Sequence, residues 1–194
     1  MRLYLFDFDG TISKSDSMFD FLKTIHGLPY FYFLLFKAVP IFVCYKLKII
    51  NKDEFKDSFL MIFLSKFSFS KLEIIANEFS FLYERKLKSS AITYINNLKK
   101  DKSNEIILVS ASLDIWIKPI AEKLGVKSIS TQSSFNNNLY DGIKGKNCWG
   151  KEKVNRIKSV YNLKKYNEIH AFGDSKGDFE MLNIANYKNF RFFN

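Results

Sequence analysis

Apolar and polar positions follow two rhythms along the 194-residue chain. It opens with a short apolar run, Leu3 to Phe6, that breaks into Asp7, Phe8, Asp9, Gly10 and Thr11. A run of this kind, bounded by a glycine turn, predicts a strand over residues 2–7 that is buried on both faces. The two carboxylates do not belong in a core, because an unpaired buried charge is too costly. They are expected at the lip of a sheet, where parallel α/β folds carry their ligand chemistry.

From residue 15 to about residue 88 the period is helical. Phe19, Phe21 and Leu22 mark a first helix that ends near Gly27, Leu28 and Pro29. Residues 28–45 are apolar apart from Lys37, with Pro40 inside the run. Lys37 and Lys46 are nine positions apart, which on a helix puts them on opposite sides. No single polar face results, so a helix here is either buried or lipid-facing; a cap-domain helix or broken helix pair is expected, with peripheral or re-entrant membrane contact as the second reading. As a transmembrane span it is marginal, at the lower limit of length and carrying a lysine and a proline mid-way. Asn51 and Glu54 read as N-cap and N3 of a helix striped by Phe55, Phe59, Ile62 and Phe63. Ser70 and Glu73 read as a second capping box, opening a helix with Leu72, Ile75, Ala76, Phe79, Leu82 and Tyr83 on one face. A further helix carries Ile92, Tyr94, Ile95 and Leu98.

The second half alternates. Strands are predicted at residues 106–109, 126–131 and 169–172, with helices at 113–124, 150–161 and 178–185 and an edge strand at 190–193. Asn136 to Asn138, with Asp141 and Gly142, punctuate a hairpin-like excursion. Alternation of this kind implies an α/β fold with a doubly wound parallel sheet. The helices of residues 15–88 read as an inserted cap, and residues 1–14 and 89–194 as the core.

Charge and composition add a constraint. The net charge of +10 favours anionic partners: phosphorylated small molecules or a membrane surface. A solvated lysine-rich surface gives the same count. No arginine cluster or aromatic RNA-binding signature accompanies it, so nucleic acid is not expected. Cys44 and Cys148 make no disulfide framework, and no signal peptide precedes the first strand; both point to a cytoplasmic protein, with membrane association left open by residues 28–50. His26 and His170 lack metal-spaced partners and read as structural.

Three predicted strands end in polar groups: Asp7 with Asp9, Ser110 with Ala111, and Asp174 with Asp178. In a parallel sheet these ends share one edge. Clustered carboxylates repel unless a cation sits among them, and hard oxygen donors without His or Cys favour Mg²⁺. Ser110, at a strand end followed by a helix, suits a phosphate.

These elements resemble the signature of the haloacid dehalogenase superfamily. DFDGT at residues 7–11, VSAS around Ser110, the stretch from Gly150 to Ile157 and GDSKGD at residues 173–178 look like its four motifs in order. The helical insertion resembles the cap of the phosphoserine-phosphatase-like branch. The resemblance implies Mg²⁺-dependent phosphomonoester hydrolysis, with Asp7 as nucleophile and Asp9 as general acid and base. Phosphate contacts would come from Gly10, Thr11, Ser110, Ala111 and a lysine; metal contacts from Asp7, Asp9 through its carbonyl, Asp174 and Asp178. Lys151 and Lys153 both qualify as the lysine, and the branch pattern Gly-x-x-Lys prefers Lys153. A phosphotransferase or mutase would use the same intermediate, and a membrane-associated binding protein with a vestigial site is the alternative outside enzymes. The aromatic content of residues 28–50 differs from what a small polar amino-acid phosphate needs and points to an amphiphilic or lipid-linked phosphate or a cap resting on a membrane, unless the rings simply pack the cap.

Overall fold

The computed structural model describes residues 1–193. Six strands form one sheet in the order β4-β3-β2-β1-β5-β6. They are β1 (Arg2–Phe6), β2 (Asn104–Leu113), β3 (Lys127–Asn136), β4 (Leu139–Lys144), β5 (Glu168–Gly173) and β6 (Tyr187–Phe190). All neighbours run parallel except the β3–β4 hairpin. Its turn residues Asn137 and Asn138 both take positive φ, the backbone a two-residue hairpin loop demands and asparagine tolerates.

Strand alternation explains the two-sided core. Leu3 and Leu5 point to one face with Ile107 and Val109, where Ile157, Met181 and Leu182 cover them. Those residues belong to α7 (Lys151–Val160) and α8 (Phe179–Asn183), which gives the assignments of helix and face. Tyr4, Phe6 and Leu108 point to the other face. There α5 (Ser89–Leu98) and α6 (Asp114–Leu124) pack, with Ile95, Trp116 and Ile120 buried. A sheet buried on both faces reads as apolar runs, as the strands of this chain do.

Between β1 and α5 lie α1 (Ser17–Lys37), α2 (Val39–Lys46), α3 (Lys52–Leu64) and α4 (Phe69–Tyr83). The chain departs and returns at one point, where Ser13 and Leu87 form an antiparallel bridge. Phe21 stacks on Trp116 of α6 and Phe8 lies against Tyr83, so the inserted helices share the core of the sheet's upper face. Within α1, Gly27 takes φ 68° and breaks the helix two residues before Pro29, close to the expected end. Only glycine holds that backbone without strain.

Three expectations shift. The α4 cap is Ser68, whose Oγ accepts the Lys71 N–H, and not Ser70. Phe69 N–H donates to the Asn138 carbonyl and Tyr140 N–H to that of Phe67, so the hairpin fixes the helix start two residues earlier. Leu82 is exposed and lies off the inner stripe. The edge strand is Tyr187–Phe190, not residues 190–193, because Phe193 turns inward against Phe6 and Phe172. His26 bonds the Phe63 carbonyl and His170 stacks between Tyr4 and Tyr187.

The α3 cap is the reciprocal box read from the sequence: Asn51 Oδ1 accepts from Asp53 and Glu54, and Glu54 returns to the Asn51 N–H. We expect Asn51→Ala to cost about 1 kcal/mol, the usual worth of an N-cap, measured by urea unfolding.

Candidate active site

The C-terminal ends of β1, β2 and β5 meet at one edge, and there the carboxylates converge. Asp7 continues β1, its N–H donating to the Phe172 carbonyl of β5 at 2.9 Å. Its Oδ1 accepts from Lys153 Nζ at 2.6 Å and its Oδ2 from Thr11 Oγ1 at 3.0 Å. Lys153 is 1% exposed, and spends its other two N–H donors on the Val109 carbonyl and Asp178 Oδ1, each at 2.7 Å. Lys151 is exposed to solvent. Of the two candidate lysines the helix turns Lys153 inward. Arg156 holds α7 in place by donating to the Ser130 and Lys146 carbonyls.

Asp178 is tied into its own turn as well as to Lys153. Its Oδ2 accepts from Asp174 N, Ser175 N and Ser175 Oγ. Asp174 sits beside Gly10, whose φ is +83° and where any Cβ would overlap the Asp174 carboxylate. Thr11 Oγ1 reaches Asp174 Oδ1 at 3.4 Å. Oxygen atoms of Asp7, Asp174 and Asp178 all lie within 4.8 Å of one another.

The electrostatics follow from an excess of anions. Burial, opposed by Lys153, pushes the Asp7 carboxyl up to about 7. Burial and neighbouring Asp178 also raise Asp174. Burial would lower Lys153, but Asp7 and Asp178 override it and hold the ammonium above its ordinary range. Asp178, despite its burial, is held low by Lys153 and the Ser175 donors. Three carboxylates against one ammonium leave a formal deficit of two positive charges. The donors are hard oxygens with no His or Cys among them, so the set fits Mg²⁺. Asp7 and Asp174 have lone pairs to offer, whereas Asp178 is committed to Lys153 and Ser175. The Asp9 carboxylate stands outside this group.

Asp9 faces the inserted helices instead. Its Oδ1 accepts the Ser17 N–H at the start of α1 and its Oδ2 accepts from Ser112 Oγ, both at 2.6 Å. Burial and nearby Asp16 push its carboxyl up to about 6. Ser110 is fully buried and its Oγ accepts the Ser112 N–H at 3.0 Å. The lining at this strand end comes from Ala111 and Ser112.

A cavity of about 270 Å³ opens above these groups, lined by Asp7, Asp9, Ser112, Lys153, Lys56 and Trp149 among others. Lys56, from α3, was absent from the sequence reading. Its Nζ donates to the Ala111 carbonyl at 2.5 Å and Asn147 Oδ1 at 2.8 Å, which leaves the third donor for a ligand. Burial lowers it to about 8, against the pull of Asp9 and Asp16. The signal was present: Lys56 stands on the stripe of Phe59, Leu60 and Phe63, at i, i+3, i+4 and i+7. A lysine on a buried stripe needs an anionic or polar partner. Ser112 was also missed; it stands two residues beyond Ser110, where the β2–β3 register shifts. Asn147 and Trp149 carried no signal beyond their place before Gly150. Lys52 lies over the Trp149 ring at 3.5 Å, closing the cavity from α3.

We expect Lys153→Met to destabilise the fold by about 3 kcal/mol or more, since it leaves two buried carboxylates without their cation. Urea titrations check this. The deficit should shrink on acidification, because carboxylates whose folded pKa is raised regain stability when protonated.

Three comparisons bear on this arrangement. The family model described as haloacid dehalogenase-like hydrolase matches residues 4–183. The chain is 30% identical to Protein CicA of Caulobacter vibrioides over 194 residues, covering 98% of this chain and 86% of that protein. Among solved structures, a protein with unknown function from Bordetella pertussis Tohama I superposes with a TM-score of 0.81 at 22% identity, covering 95% of this chain and 86% of that one. A phosphoserine phosphohydrolase-like protein from Francisella tularensis subsp. tularensis SCHU S4 gives 0.68 at 20% identity, covering 98% and 86%. Both structural likenesses concern the fold.

Proposed function

The chain belongs to the haloacid dehalogenase-like hydrolase family, and from that membership and the geometry we propose that it is a Mg²⁺-dependent phosphomonoester hydrolase. In this reading residues 1–14 and 89–194 form the catalytic core, and residues 15–88 the cap. The observation that carries it is the buried Lys153 ammonium bridging Asp7 and Asp178, with Asp174 alongside and a cavity above.

Asp7 is the nucleophile. Its carboxylate is held from both sides by Lys153 and Thr11, which fixes the direction of attack. An oxygen of Asp7 bonds to phosphorus as the bond from phosphorus to the ester oxygen breaks, and Asp9 delivers its proton to that leaving oxygen. The product is an aspartyl-phosphate and a free alcohol. Asp9, now a carboxylate, takes a proton from water as the water oxygen attacks phosphorus. Phosphate departs and Asp7 is restored. Ser112 and the Ser17 N–H keep Asp9 oriented toward the cavity in both protonation states. Asp7, Asp174 and the Asp9 backbone carbonyl would hold Mg²⁺, which supplies charge neutralisation for the phosphoryl oxygens. Asp178 supports Asp174 through its backbone N–H. Gly10 and Ala111 complete the phosphate seat as the resemblance implies, while Ser110, fully buried with its Oγ accepting the Ser112 N–H, supports that strand end from beneath.

The substrate is a phosphorylated small molecule. Met18, Phe55 and Phe59 also line the cavity, which supports a phosphate carried on an apolar group, up to a lipid-linked one. A phosphatase panel tests both levels. Turnover should require Mg²⁺, fall to background in EDTA and vanish in Asp7→Asn; full activity in Asp7→Asn would overturn the reaction. Lyso-lipid or prenyl phosphate should exceed phosphoserine, and a clear preference for phosphoserine would defeat the apolar reading.

Lys56 gives a separate expectation. Below about pH 8 it is a cation facing the phosphoryl dianion, and above that it is neutral. KM should therefore rise as pH rises through this range. Lys56→Met should raise KM at neutral pH and abolish that limb of the profile, read from KM against pH.

A further inference from the structure

We propose that residues 28–50 form a docking face for an anionic membrane surface. The helical piece after Gly27 packs Phe31, Leu34 and Ala38 inward, which satisfies its need for a buried stripe. Its opposite side is apolar too. Tyr32 is 59% exposed, Phe33 49% and Phe36 75%. The eight residues of α2 include no buried side chain, although only Lys46 among them is charged. Leu47 and Ile49 in the following turn are 66% and 68% exposed. An outward apolar surface that runs through two helices and a turn is far from the scattered exposure of ordinary surfaces.

No described helix is by itself long and apolar enough to cross a membrane; α1 and α2 meet that length only jointly, across a 44° bend. A bent pair with an apolar outer side and cationic margins is suited to lying in the interface plane.

Charge selects the occupant. Between Asp20 and Asp53 there is no acidic residue, while Lys23, Lys37, Lys46, Lys48 and Lys52 fall in that interval. Lys37 lies along the Phe33 ring at 4.9 Å and Lys46 along Phe42 at 5.2 Å. Long side chains laid over apolar rings with their ammonium at the margin can reach headgroup phosphates while the rings enter the acyl boundary. A second copy of the chain docking through the same patch would set lysines against lysines, since a two-fold interface meets itself. Anionic lipid supplies both the apolar layer and the counter-charge.

The face is continuous with the candidate site. Phe42 and Tyr45 of α2 rest on Phe55 of α3, and Phe55 lines the cavity. A docked molecule would thus hold its cavity's apolar wall close to the lipid.

Sedimentation of the full chain with vesicles tests this without any turnover, so the result is independent of the proposed reaction. The chain should co-sediment with phosphatidylcholine vesicles containing phosphatidylglycerol, and remain in the supernatant with phosphatidylcholine alone or at high salt. The triple substitution Phe36→Ser, Leu47→Ser, Ile49→Ser should lower the partition coefficient by about tenfold or more. Charge reversal at Lys37, Lys46 and Lys48 to Glu should do the same while leaving the outer rings in place. An unchanged melting temperature is the control for folding in both. Three results would overturn the proposal: no binding to anionic vesicles at low salt, binding that survives both sets of substitutions, or a stable dimer in solution that the same substitutions dissolve.

Discussion

One buried ammonium ties the structure together. All three N–H donors of Lys153 are engaged, by Asp7 after β1, by the Val109 carbonyl of β2 and by Asp178 in the turn after β5. Without a cation at that point the strand ends would bring carboxylates together in a dry environment, and repulsion would open the edge. The lysine reaches it because Arg156, one turn later on α7, is fastened to carbonyls at residues 130 and 146. Close approach is then needed on the far side. Gly10 against Asp174 and Gly173 against Asp178 leave no room for a Cβ. Gly10 and Gly173 are thus packing requirements of the charge cluster.

That cluster is still short of positive charge, and the inserted helices respond to the shortage from the other side. Asp9 is held by the first N–H of α1, an end of a helix that favours negative charge. Lys56 projects from α3 toward the same cavity. These groups are positioned by the upper-face core, where Phe21 meets Trp116 and Phe79 meets Tyr83. The apolar packing of the insertion therefore sets the placement of charge at the site, and the two halves share one energetic unit.

This division explains what the sequence disclosed. Asp7, Asp9 and Asp174 stood out because they follow directly on apolar strands, a pattern with few structural explanations, and Asp178 stood out by its place in the GDSKGD motif. Lys153 was recoverable from its offset to Gly150. The sheet and hairpin followed from alternation and from paired asparagines. Lys56 is not visible when the stripe of α3 is read by its apolar residues alone, although it stands at helical spacing from Phe59, Leu60 and Phe63. Ser112 was passed over for Ser110; the bulge in β2–β3 pairing between Ser110 and Leu113 brings the second serine to the cavity, and no local pattern announces a bulge. Ser68 and the edge strand moved by a few residues because long-range contacts, to Asn138 and to Phe6, outweighed local propensity.

The helix α3 carries the tension between the site and the outer face. Phe55 and Lys56 are neighbours in sequence, so they point in different directions from one helix. Lys56 is committed to Ala111 and Asn147 at the cavity, and Phe55 receives Phe42 and Tyr45 from α2. The helix is thus fixed on one side by a buried cation and on the other by aromatic contact with the outer pair. If α2 were covered by lipid, its contacts with Phe55 would be made in a drier setting, and the wall of the cavity would be held more firmly. If α2 were left to solvent, the same wall would rest on rings that water can reach. The carboxylate cluster around Asp7 is set by the strand ends and by Lys153 of α7, while the cavity above it also rests on a helix whose other face belongs to the surface.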